Sequence, residues 1–404
     1  MDFSQLETKL AQAAQTITPF HVMDLLAKAK QREAAGQSIL HLEVGEPDFP
    51  TPEPIVQAGI AALQAGRTHY TAAQGLLELR IAIAEFYQQR YQVSINPERI
   101  FMTVGASGAL QLVLSALLNP QDEVLLSDPT YPCNRNFVRL LGATPVGIPV
   151  DAAHAYQPHL TALETYRTAN TRALLLASPA NPTGMALGRE RLNAYFAWAK
   201  QHKIAFILDE IYHGLNYCPD AEPNCVPTAL SLAHDAKHDE LFVINSFSKY
   251  FGMTGWRLGW MVVPEAFIPT MDKLAQNLFL AAPTPAQYAA LAAFSEEAQS
   301  IMRHQVAVLK ERRDYLYDAL VGLGFDLAEK PQGGFYLYAD CQRFTDDSYA
   351  FCYDLLDKTG VAITPGIDFG DYRANQYVRF AYTLPLPTLR KAVGRLRDYL
   401  QAQT

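Results

Sequence analysis

The stretch SFSKYFGMTGWRLGW, Ser246 to Trp260, sets one lysine, one arginine and two serines inside an otherwise apolar run. A lysine in such company needs an explanation, because burying an unpaired ammonium is costly or lowers its pKa. Two other places carry comparable signals. Asp209 ends the apolar run IAFILD, with Tyr212 one helical turn later; a carboxylate there is either a structural cap or the partner of a fixed cation. After RIFMTV come Gly105-Ala106-Ser107-Gly108 and then the helical ALQLVLSALL. Small residues at a helix start expose backbone N–H groups that bind anions, although the same residues also serve a plain strand-to-helix turn.

These residues need elements to bring them together. From about residue 97 to 263 short apolar runs alternate with amphipathic ones, and strands are expected at 99–104, 123–127, 172–178, 204–210, 241–246 and 258–263. RERLNAYFAWAKQH places Leu192, Phe196 and Ala199 on one helical face. The pattern predicts a mostly parallel sheet flanked by helices, whose ligands bind beyond the carboxyl ends of the strands. Either side, a helix over 19–36, a long helix from about Ala286 to Leu323, strands at 333–340 and 377–383 and a final helix with Leu389, Val393 and Leu396 predict a smaller α+β domain. Boundaries are expected at 46–285 for the large domain, with 1–45 and 286–404 forming the small one.

A phosphate held by Ser246, Arg257 and the Ala106 and Ser107 amides would sit beside Lys249, with Asp209 one strand over. That set fits pyridoxal 5'-phosphate: a Schiff-base lysine, an anchored phosphate and a carboxylate for the pyridinium nitrogen. The segment from Ser246 to Gly259 resembles the lysine-attachment motif of class I and II aminotransferases, the fold type I pyridoxal-phosphate enzymes. VGEPDF, HYTAAQGLLELR, TVGASGAL, DPTYP, NPTG, DEIY, PQGGFY, PGIDFG and YVRFAYT follow the same family's order along nearly the whole chain.

The resemblance implies that Lys249 forms the Schiff base and that Asp209 keeps the ring nitrogen protonated. It implies that Asn181 and Tyr212 bond the ring's phenolic oxygen, that Tyr131 stacks on the ring, and that Ser246, Arg257, Ala106 and Ser107 hold the phosphate. Tyr70 would reach that phosphate from a second subunit of a homodimer. Arg379 would bind the substrate carboxylate as a fork, beside Gly45 and Asn181. The expected activity is ping-pong transamination between an L-amino acid and a 2-oxo acid. One aspartate-using branch has a lysine where Ser107 stands here, so a donor with an uncharged side chain is expected. An aspartate aminotransferase proper and a carbon-sulfur β-lyase are the alternatives. A DNA-binding regulator of the same fold would need more chain before Gly45.

Composition narrows the rest. At 404 residues and 49% apolar, the chain exceeds what one core fills. A formal charge of -8 without a basic run argues against nucleic-acid or anionic-membrane partners. No apolar run approaches a membrane span, and the polar N-terminus lacks signal-peptide regions. Five cysteines without a C-x-x-C pair suggest free thiols, and with them a cytoplasmic protein. His234 and His238 stand four apart, a spacing read here as a solvated segment rather than a metal pair.

Overall fold

The computed structural model describes residues 10–218, 225–232 and 239–402. Its centre is a sheet of seven strands: β1 (Ile100–Thr103), β2 (Glu123–Asp128), β3 (Thr144–Pro149), β4 (Thr171–Ala177), β5 (Ala205–Asp209), β6 (Leu241–Ser246) and β7 (Gly259–Val262). They lie in the order β1-β7-β6-β5-β4-β2-β3. All neighbours run parallel except β7, which is antiparallel to both β1 and β6.

Alternate residues of each central strand enter different cores. Leu174, Leu176, Phe206, Leu208 and Val243 join one apolar cluster, while Ala173, Leu175, Ala205, Ile207, Phe242 and Ile244 join the other. Both faces are therefore covered, which is why these strands read as continuous apolar runs. Each fully buried Leu, Ile or Phe contributes about 1.5–3 kcal/mol. Strand β3 escaped the sequence reading because TPVGIP carries two prolines and a glycine. It lies at the sheet edge, where a residue without an N–H is tolerated.

Helix α1 (His21–Ala34) matches the first expected helix, α2 (Gly105–Leu117) starts beyond β1, and α3 (Arg189–His202) falls where predicted. The long C-terminal helix is corrected: it divides into α4 (Thr284–Leu291) and α5 (Glu296–Leu323), separated by a 3-10 turn at Ala292–Phe294. Ser295 causes the break by capping α5, its hydroxyl accepting the Ala298 N–H. Gly324, at φ 99°, ends α5 in the left-handed region.

The smaller domain contains an antiparallel sheet of β8 (Asp326–Leu327), β9 (Tyr336–Asp340), β10 (Thr364–Pro365) and β11 (Tyr377–Ala381), in the order β10-β11-β9-β8. Leu40 and His41 pair in parallel with Val361 and Ala362, and the Ala381 N–H bonds Leu42 O. The segment entering the large domain is thereby tied to the strand that carries Arg379.

The cysteine expectation is also corrected. Cys218 and Cys225 form a disulfide, with Cα atoms 5.5 Å apart, while Cys133, Cys341 and Cys352 are free. A pair separated by seven positions has no motif to announce it, and only the fold brings the two sulfurs together. Among the described residues no helix is long and apolar enough to cross a membrane, and no group of side chains is arranged to hold a metal. His234 and His238 lie outside the described residues.

Candidate active site

Three strand ends and one helix start converge on a cavity of about 250 Å³. Gly45, Ala106, Ser107, Tyr131, Asn181, Asp209, Tyr212, Ser246, Lys249, Arg257 and Arg379 all line it. Among the predicted site residues, only Tyr70 lies elsewhere; it is 81% exposed.

Lys249 follows the end of β6, and its Nζ donates to Gly45 O at 2.7 Å. Burial lowers its pKa to about 8, assisted by the positive charges of Arg379 and Arg257 and opposed by Glu46 and Asp209. Asp209 ends β5, and its Oδ1 accepts the Ile211 N–H at 3.0 Å. Burial raises its pKa to about 6, against that hydrogen bond and the Lys249 charge.

The anion cradle is built from close backbone contact. A Cβ on Gly259 would lie 2.7 Å from Gly105 C and 2.9 Å from Ala106 N, so β7 and the start of α2 meet only because residue 259 is glycine. A Cβ on Gly105 would come within 2.7 Å of Arg257 Nη2, which places the guanidinium against the same helix start. Arg257 itself adopts φ 54°, and its Nη1 donates to Thr254 O at 2.9 Å. Ser246 Oγ donates to Ser248 Oγ at 2.9 Å, bringing a second hydroxyl to the cavity that the sequence reading did not single out.

Arg379 stands opposite this cradle, in register with Tyr338 and Thr364 on the flanking strands. Its Nη1 donates to Asn181 Oδ1 at 2.9 Å and its Nη2 to Glu43 O at 2.7 Å. The Tyr336 ring lies 4.1 Å from the guanidinium carbon. Among the described residues, its buried Nε has no partner. Tyr212 donates to Tyr336 Oη at 3.3 Å, and Tyr131 meets Phe20 edge-on, ring centres 6.4 Å apart. A Cβ at Gly45 would fall 2.2 Å from Tyr336 Oη, which explains the glycine. Asp128-Pro129 and Asn181-Pro182 are both cis, as is Ser178-Pro179.

The sequence reading missed one wall of the cavity. Phe20, just before α1, and Val22, Met23 and Leu26 in its first turns line the cavity, Phe20 meeting Tyr131. The signal was present in PFHVMDLL, where apolar residues exceed the single face that packing α1 requires.

The fold and this site define an enzyme of the aminotransferase type, and the comparison with known families agrees. The description "Aminotransferase class I and II" matches residues 37–396, and the chain belongs to that family, whose members use pyridoxal 5'-phosphate. A valine–pyruvate aminotransferase of Mycobacterium tuberculosis is 37% identical, covering 96% of this chain and 97% of its own. An aspartate aminotransferase of Thermotoga maritima is 33% identical over 94% and 96%. Among solved structures, an aminotransferase from Mycobacterium tuberculosis superposes with TM-score 0.91 at 36% identity, covering 97% of this chain and 99% of that one. The Thermotoga maritima aspartate aminotransferase gives 0.89 at 32%, covering 97% and 100%.

The residues present fit the cofactor. Asp209 is a buried carboxylate with its pKa held up, the glycine contacts open a cradle at α2, and a lysine with a lowered pKa lines the same cavity.

Proposed function

We propose that this enzyme transfers the amino group of an L-amino acid with an uncharged, chiefly apolar side chain to a 2-oxo acid, in ping-pong half-reactions through a Schiff-base lysine, Lys249. The observation that carries the donor class is the charge content of the cavity. Its cationic lining residues are Lys249, Arg257 and Arg379, and each has a task. None remains among the described lining residues for a second substrate carboxylate, and Phe20, Val22, Met23 and Leu26 give the cavity an apolar wall.

Arg379 binds the α-carboxylate, its buried Nε–H being the donor without a partner among the described residues, and the Tyr336 ring and Asn181 fix its orientation. Ser246, Arg257 and the Ala106 and Ser107 amides would hold the cofactor phosphate, Tyr131 would cover the ring face, and Asn181 and Tyr212 would face its phenolic oxygen. When bound, the cofactor supplies an electron sink for the substrate's Cα. Asp209 holds a proton on the ring nitrogen. Lys249 Nζ, with its pKa near 8, is partly neutral at physiological pH and moves the Cα proton, as a general base poised near the operating pH does best.

The same reading places the domain boundaries at 46–285 for the large domain and at 1–45 with 286–404 for the small one. It makes the enzyme a homodimer with Tyr70 reaching the partner's phosphate site, and a cytoplasmic protein.

A donor and acceptor panel on the holoenzyme tests the proposal. We expect valine, leucine, alanine or an aromatic amino acid to exceed aspartate in kcat/KM by about tenfold or more, a size that pocket chemistry supplies. Aspartate as the best donor overturns the donor class. Release of pyruvate and ammonia without an acceptor would make the enzyme a lyase.

A further inference from the structure

The turn Gly366–Asp368 holds a carboxylate with no part in the chemistry above. Asp368 is 5% exposed, and its two oxygens accept the N–H groups of His21 and Val22, both at 2.8 Å. These are the first two residues of α1, whose preceding residue, Phe20, supplies no side-chain cap. Two of the N–H groups that a helix start leaves unsatisfied are therefore bound by a distant acid, whose charge also suits that end of the helix. The next residue, Phe369, lies with its ring 4.8 Å from the Arg379 guanidinium carbon. Its carbonyl accepts the Thr130 N–H at 2.8 Å, one residue before Tyr131. One short turn thus holds the start of α1, the underside of Arg379 and the approach to Tyr131.

We infer that Asp368 is a positioning residue for donor selectivity. It aims the first turn of α1 so that Phe20 and Met23 close over the side chain of a donor bound by Arg379. The inference rests on the apolar-donor reading above. Met23 lines the cavity yet is 56% exposed, so it forms a rim that a long apolar side chain would cover and that alanine's methyl group would not reach. Asp368 itself does not line the cavity. Without its two hydrogen bonds the first turn of α1 frays and the wall loses its aim, while Arg379, although it loses the nearby Asp368 charge, keeps its bonds to Asn181 and Glu43 O.

The test compares wild type, Asp368→Ala and Asp368→Asn holoenzymes with leucine, phenylalanine and alanine as donors and one common acceptor. In Asp368→Ala, kcat/KM for leucine and phenylalanine should fall about tenfold, mostly through KM, with alanine changed by less than about twofold. Asp368→Asn keeps one acceptor oxygen and should lie between, which preserves the test if the alanine variant folds poorly. Visible cofactor absorbance should be unchanged. An equal fall for all three donors, or unchanged selectivity, overturns the positioning role. Wild-type preference for aspartate over all three overturns the apolar-donor reading instead, and the inference falls with it.

Discussion

Asp209 and Lys249 are each held away from their ordinary protonation behaviour, and the cofactor-free chain should reveal it. The folded pKa of Asp209, about 6, lies above the unfolded 3.8, so folding takes up a proton. That contribution is complete below the unfolded value and is lost as pH rises through about 6. At pH 7 the buried charge therefore costs about 3 kcal/mol relative to an uncharged residue at the same place. Asp209→Asn should raise the melting temperature of cofactor-free protein at pH 7 by a few degrees, with roughly half that gain at pH 5, while turnover is lost. Thermal melts at the two pH values check this, and a variant melting below wild type at pH 7 contradicts it. Neighbouring Glu210 is also held towards its neutral form. Burial raises its pKa to about 8, and it accepts hydrogen bonds from Thr228 Oγ1 and Ala229 N. The positions of Asp209 and Lys249 were legible because Asp209 ends one apolar strand and Lys249 stands three residues past another. Tyr336 and Asp368 were not, because a tyrosine at the start of a strand and an aspartate in a loop have many ordinary uses.

At the scale of elements, the cradle depends on β7 touching the start of α2. Gly259→Ala sets a new carbon against Gly105 C, Ala106 N and Asn245 O, all main-chain atoms. It should destabilise the fold by about 1–3 kcal/mol and weaken cofactor retention. Gly322→Ala, whose new carbon meets no atom within 4 Å, should be neutral or slightly stabilising inside α5. Denaturant melts together with cofactor titration separate the two, and cofactor affinity unchanged in Gly259→Ala would contradict the cradle. The central strands were readable because both faces are buried and apolar residues fill every position. Strand β3 was hidden by its prolines, and the division between α4 and α5 by a single serine inside a helical pattern. The apolar wall of the cavity was also hidden. Sequence periodicity shows that Phe20 and Met23 are apolar, but only the packed fold shows that they face a cavity.

For the whole molecule, the exposed apolar side chains suggest a second copy. Ile60, Leu63, Leu77, Ile81, Leu278 and Leu280 are exposed on the segments around Tyr70 and at the end of the helix Ile268–Leu278. Sedimentation should show a dimer, and Tyr70→Phe should weaken cofactor binding by roughly the net value of one hydrogen bond to a charged group, about 1.5–3 kcal/mol. A fully active monomer excludes the cross-subunit role. Only the family resemblance singled out Tyr70; within one subunit it is exposed and outside the cavity. The Cys218–Cys225 bond has a different consequence. It closes a small ring between the turn that carries Tyr212 and the segment whose Thr228 and Ala229 hold Glu210. A single proteolytic cut inside that ring would leave both halves of the enzyme covalently joined, and they would part on a gel only after a thiol had been added.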